Sequence, residues 1–201
     1  VYELLGGPLR STLSLYATSP AAASVKKQGF QGVKVPLPYG PSSGSEGLKK
    51  NVELISGVRD SVGDGFDLMI DCYMALDVPY TIDLTNAVKE ANLYWIEEPL
   101  PPHDLESHKH IKQACPWQKF ATGEHTNSRY GFRKIIEDRS VDILQPDITL
   151  CGMTEILRIA AMASAYDITV IPHCSGVYAY NFGISSTITP FNEFINLHFI
   201  F

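Results

Sequence analysis

Asp71, Glu97, Glu124, Asp147 and His173 stand 26, 27, 23 and 26 residues apart, each at or near the end of a short β-rich run. A strand with its crossover helix takes roughly that length, so the five residues should return to one rim of a barrel. Three carboxylates meeting in a partly buried site cannot all stay ionised without a counter-charge. A hard divalent cation resolves this, and Asp71, Glu97 and Glu124, with oxygen donors only, favour Mg²⁺ over zinc. Asp147 beside His173 would fix the imidazole tautomer and raise its basicity, which suits a general base. His125 directly follows Glu124 and could be a second acid or a hydrogen-bond donor to substrate. Taken one at a time, such residues have blander readings: a strand-end Asp is more often a helix cap or a turn residue. The argument rests on the regular interval.

The elements that must position these residues alternate. β-rich runs lie at 13–19, 32–37, 67–72, 93–99, 120–125, 142–147 and 169–173, with an eighth expected at 194–201. Amphipathic stretches at 46–62, 85–93, 129–139 and 154–166 separate several of them. Alternating β and α segments predict a parallel sheet with crossover helices, and eight strands predict an α/β fold of the TIM-type (β/α)7β barrel kind. The active site of such a barrel sits at the C-terminal ends of its strands. No GxGxxG follows the first strand, which argues against dinucleotide binding. No long linker interrupts the chain, so residues 1–201 read as one domain.

Composition narrows the partners. Sixteen Lys and Arg face 22 Asp and Glu, a net charge of −6, which provides no footprint for nucleic acid or an anionic membrane. No apolar run is long enough to span a bilayer. Cys72, Cys115, Cys151 and Cys174 show no CxxC spacing and read as reduced thiols, which leads us to expect a cytoplasmic protein.

The motifs DCYMALD (71–77), WIEEPLPP (95–102), TGEH (122–125), QPD (145–147) and PHCSGVYAY (172–180) resemble those of the enolase superfamily. More narrowly, the chain is similar to the rhamnonate dehydratase group of the mandelate-racemase-like branch. VYELLGGPLR at the start and GPSSGSEGLKKN (40–51) fit the same group. The resemblance implies Mg²⁺ held by Asp71, Glu97 and Glu124, with Glu97 rather than Glu98 pointing inward. It implies a His173–Asp147 dyad, and it maps the carboxylate of strand eight, or of the loop before it, onto Glu193. Glu193 would hydrogen-bond the substrate carboxylate, or else be a surface residue. Lys34 would touch the substrate carboxylate or metal-bound oxygens, or else face solvent. Racemases of this branch carry a Lys-x-Lys pair where this chain reads Lys34-Val35-Pro36, and proline cannot take a proton.

The implied activity is that of a hydro-lyase: dehydration of a rhamnonate-like sugar acid, through an enediolate, to a 2-keto-3-deoxy sugar acid. Alternatives are another acid sugar such as galactonate, or an inactive truncated or binding paralogue. The resemblance also implies a homo-oligomer and an N-terminal α+β capping domain, of which residues 1–10 would be the exit segment.

Overall fold

Eight short parallel strands form one curved sheet in the computed structural model, which describes residues 1–195. They are β1 (Leu15–Thr18), β2 (Gly32–Pro36), β3 (Asp67–Asp71), β4 (Trp95–Glu97), β5 (Phe120–Thr122), β6 (Ile143–Leu144), β7 (Thr169–Val170) and β8 (Asn192–Ile195). Neighbours run β7-β6-β5-β4-β3-β2-β1-β8. β7 and β8 are the two ends of that order, and Val170 N donating to Ile188 O at 3.2 Å and Thr189 Oγ1 donating to Val170 O at 2.7 Å join β7 to the segment just before β8. The expected TIM-type barrel is therefore present. Its last strand begins at Asn192, two residues before the expected run at 194–201, and residues 196–201 lie outside the described chain.

The strands are interleaved with α1 (Ala22–Lys27), α2 (Gly44–Val62), α3 (Val78–Ala87), α4 (Leu105–Ala114), α5 (Ser128–Asp138), α6 (Ile148–Cys151), α7 (Met153–Ser164) and α8 (Val177–Ser185). Helix α2 shows how sequence makes a barrel helix. It buries Gly47, Asn51, Ile55, Arg59 and Val62, a single stripe at helical spacing. Burying Ile55 contributes about 1.5–3 kcal/mol. Arg59 donates to the carbonyls of Gly63, Phe66 and Ala91, tying the helix to the turns below β3 and β4. Helix α3 begins earlier than the amphipathic stretch at 85–93 suggests. Asp77 accepts from Tyr80 N at 2.9 Å and Pro79 sits in the first turn, a strong start signal.

Strand alternation separates two cores. Outward residues such as Val33, Val35, Leu68, Ile70 and Ile96 pack under the helices. Inward residues Tyr16, Met69, Trp95, Ala121, Ile143, Ile171 and Phe191 fill the barrel as a second cluster. Because side chains repeat with period two, the residue two places further along points inward again, one layer nearer the C-terminal rim. Above this apolar floor that rule puts Thr18, Asp71, Glu97, Gln145, His173 and Glu193 on a polar layer.

Candidate metal and proton-transfer centre

Register aligns the polar layer. Pro36 pairs with Asp71, Asp71 with Glu97, and Tyr16 with Glu193. Lys34 reaches into the barrel from β2 and is 1 % exposed. Its Nζ lies 3.3 Å from Asp71 Oδ2, 3.0 Å from Glu193 Oε1, and in contact with Glu97 Oε1. The solvent-facing alternative for this lysine is thus ruled out by position. Glu193 is likewise buried, accepting from Cys174 N at 2.8 Å and from Thr18 Oγ1.

Glu124 and His173 complete the cluster. His173 Nδ1 lies 2.9 Å from Glu124 Oε2 and 3.2 Å from Glu193 Oε2, close enough for strong charge attraction though without hydrogen-bond alignment. Glu97, Glu124 and His173 each offer a ligand atom within 4.8 Å of the others. Asp71 joins this group through Lys34 rather than directly. Of the expected metal ligands, the structure brings Glu97 and Glu124 into one tight set, with Asp71 on its edge.

Two tandem glutamates take opposite tasks. Glu97 ends β4 and faces the barrel interior. Glu98 follows with φ of 38°, a left-handed turn that swings its side chain away. There it accepts from Thr122 Oγ1 at 3.1 Å and contacts His125 Nδ1 at 2.7 Å. His125 also lies 3.5 Å from Glu124 Oε1, at the mouth of the site. Asp147 stands at the rim, but its carboxylate accepts from Thr149 N and Leu150 N and caps α6. Its contact with His173 is a backbone bridge.

The electrostatics follow from burial and charge count. Burial pushes Glu97 up to about 8, with Asp71 and Glu193 adding to the rise against the pull of Lys34. Burial acts to lower Lys34, yet Glu193, Glu97 and Asp71 outweigh it and hold the ammonium well above its usual range. For His173 burial is also outweighed: Glu124 and Glu193 push the imidazole up to about 11. Glu124 is held below the carboxylate range by His173, Lys34 and His125, despite its burial. At full ionisation four carboxylates, Asp71, Glu97, Glu124 and Glu193, face only one ammonium and one imidazolium. The excess negative charge on hard oxygen donors fits a divalent cation of the Mg²⁺ type.

Trp95 and Gln145, both of which donate to Glu97 Oε2, lay in motifs but were not singled out by sequence. The signal was present: Trp95 stands two residues before Glu97 on the same strand face, and Gln145 two before Asp147.

A parallel barrel with acidic groups gathered at one rim defines the class, and the chain belongs to the family described as Enolase C-terminal domain-like, matched over residues 17–199. It is similar to L-rhamnonate dehydratase of Saccharopolyspora erythraea, 44% identical over 98% of this chain and 51% of that protein. It is also similar to the crystal structure of L-rhamnonate dehydratase from Gibberella zeae, at 50% identity and a TM-score of 0.94, covering 96% of this chain and 50% of that one. A second Gibberella zeae structure, of rhamnonate dehydratase complexed with Mg, aligns at 50% identity and a TM-score of 0.93 over 96% of this chain and 48% of that one. The chain thus spans about half the length of the relatives it matches. Among the described residues no helix is long and apolar enough to cross a membrane, and the four cysteines are free.

Proposed function

We propose that this chain is the barrel of a magnesium-dependent sugar-acid dehydratase acting on a rhamnonate-like acid. The observation that carries the reading is the convergence of Asp71, Glu97, Glu124, Lys34, His173 and Glu193 at one rim of a barrel half identical to a rhamnonate dehydratase.

Asp71, Glu97 and Glu124 would hold the cation. Bound there, it would supply Lewis acidity for negative charge developing on the substrate carboxylate. His173 removes the C2 proton. Glu124 and Glu193 together hold a proton on the imidazole, so acting as base would require both carboxylate charges to be offset, that of Glu124 by the cation it would hold and that of Glu193 by Lys34. The resulting imidazolium, or His125, protonates the departing C3 hydroxyl, and the enol product tautomerises to the 2-keto-3-deoxy acid. Glu193 and Lys34, both buried, fix the charge at the point where the substrate carboxylate enters. Pro36 at the end of β2 leaves no second base in the racemase position, which favours elimination over racemisation. Cytoplasmic location and homo-oligomeric assembly complete the reading.

The test is a panel of sugar acids offered with Mg²⁺ to the protein that carries this barrel, with detection of 2-keto-3-deoxy acids. His173→Asn should abolish product while leaving magnesium binding nearly intact. Full turnover in that variant, or racemised acid without loss of water, removes the assignment.

A further inference from the structure

Glu97 Oε2 receives two hydrogen bonds that the proton chemistry above does not use. Trp95 Nε1 donates at 2.9 Å and Gln145 Nε2 at 2.6 Å. The three side chains are sealed from solvent, at 0 % exposure for Trp95 and 1 % for Glu97 and Gln145. The other oxygen, Oε1, is the one that meets Lys34. An indole N–H can only donate, so Oε2 is an acceptor. With Glu97 ionised, the form that would bind a cation, Gln145 presents its NH₂, because the inverted amide would set oxygen against oxygen. Gln145 Oε1 has no partner among the described residues, so the bond to Glu97 is what holds the buried amide in this orientation.

We propose that Trp95 and Gln145 are positioning residues, a two-donor clamp that occupies Oε2 of Glu97 and presents Oε1 alone to a cation at the barrel mouth. The purpose follows from ligand geometry. Mg²⁺ demands near-octahedral coordination and keeps several positions for water or substrate. A glutamate free to swing could close on the ion with both oxygens and occupy one of those positions. Two fixed donors behind the carboxylate prevent that, as outer hydrogen bonds commonly orient metal-binding groups. The proposal rests on the reading of Glu97 as a magnesium ligand, whereas the clamp itself is a property of the metal-free chain.

The test uses the 201-residue chain with Trp117→Phe, which leaves Trp95 as the only one of two tryptophans and alters an exposed position outside the site. The Trp95 indole N–H resonance is recorded without metal, and magnesium affinity is then measured by calorimetry. In Gln145→Met, a variant of similar volume without the donor, the resonance should move and magnesium affinity should fall by about 10–100-fold. Trp95→Phe should weaken magnesium binding over the same range, and serves alone if circular dichroism shows that Gln145→Met does not fold. An unmoved resonance with unchanged affinity in Gln145→Met overturns the clamp and leaves the magnesium reading standing. Failure of the parent chain to bind magnesium overturns both.

Discussion

Asp147 and His173 are joined backbone to backbone in a parallel bridge, with His173 N donating to Pro146 O at 3.2 Å, yet their side chains take different partners. The Asp147 carboxylate accepts from Thr149 N at 2.6 Å and Leu150 N at 3.2 Å. The imidazole instead lies against Glu124 and Glu193. Adjacent strands therefore deliver the two residues to one place, while capping decides where the carboxylate points.

Asp147 should consequently matter for stability through α6. Asp147→Ala is expected to cost about 0.5–2 kcal/mol, the usual loss on removing an N-cap. Asp147→Asn, which still offers an acceptor oxygen, should lose only a fraction of that. Urea unfolding of the two variants measures the difference, and a midpoint for Asp147→Ala equal to that of the parent would remove the capping role.

Lys34 is the positive hub of the buried acidic layer. Lys34→Met leaves Glu97 buried without its counter-charge and Glu193 with His173 alone, a loss of about 3–5 kcal/mol for a broken buried pair. Glu193→Gln should restore part of it, because contacting residues couple. A double-mutant cycle read by denaturant unfolding gives the coupling. Strict additivity of the two substitutions would show that Lys34 and Glu193 do not act as a pair.

His108 supplies a pH-dependent term from helix α4. It is buried in α4, its Nε2 lies 3.3 Å from Pro101 O, and burial lowers its pKa below the ordinary 6.5. The folded chain keeps the ring neutral while the unfolded chain protonates it, so its contribution is complete above about pH 6.5 and is lost as pH falls below that value. The loss approaches about 1.4 kcal/mol per pH unit between the two pKa values. Relative to His108→Gln, the parent should weaken between pH 7 and pH 5.5. Parallel stability curves for the two proteins over that range would exclude the effect.

Gly183 controls the seat of β8. A Cβ there would lie 1.8 Å from Asn192 Oδ1, and Asn192 is fully buried with Nδ2 donating to Ala179 O at 3.1 Å. Gly183→Ala must therefore displace the residue next to Glu193. A cost of about 1–3 kcal/mol or more is expected from overpacking, visible as a lower Tm. An unshifted Tm would mean that Asn192 can turn aside without loss.

Much of the barrel could be read from the chain alone because its signals are local and repetitive. The recurring βα length marks Asp71, Glu97, Glu124, Asp147 and His173 for the rim. The apolar pattern of 194–201 puts the eighth strand two residues late, because polar Asn192 and Glu193 give no apolar signal for its start. The start of α3 is hidden for a different reason: Val78–Ala87 mixes apolar and polar residues with little amphipathic contrast, and only the Asp77 cap and Pro79 announce it.

Residue type and interval by themselves determined the fold class and five of the residues at the barrel mouth, Asp71, Glu97, Glu124, Asp147 and His173, because the crossover forces a near-constant spacing, whereas Lys34 and Glu193 entered through the resemblance of motifs. Tertiary structure alone decided how those side chains pair: Lys34 as the shared cation of Asp71, Glu97 and Glu193, Glu98 turned toward His125 by its positive φ, and Asp147 turned toward α6. Many of these meetings join distant strands, such as Glu98 with Thr122, 24 residues apart, and Lys34 with Glu193, 159 apart, and no local pattern encodes them.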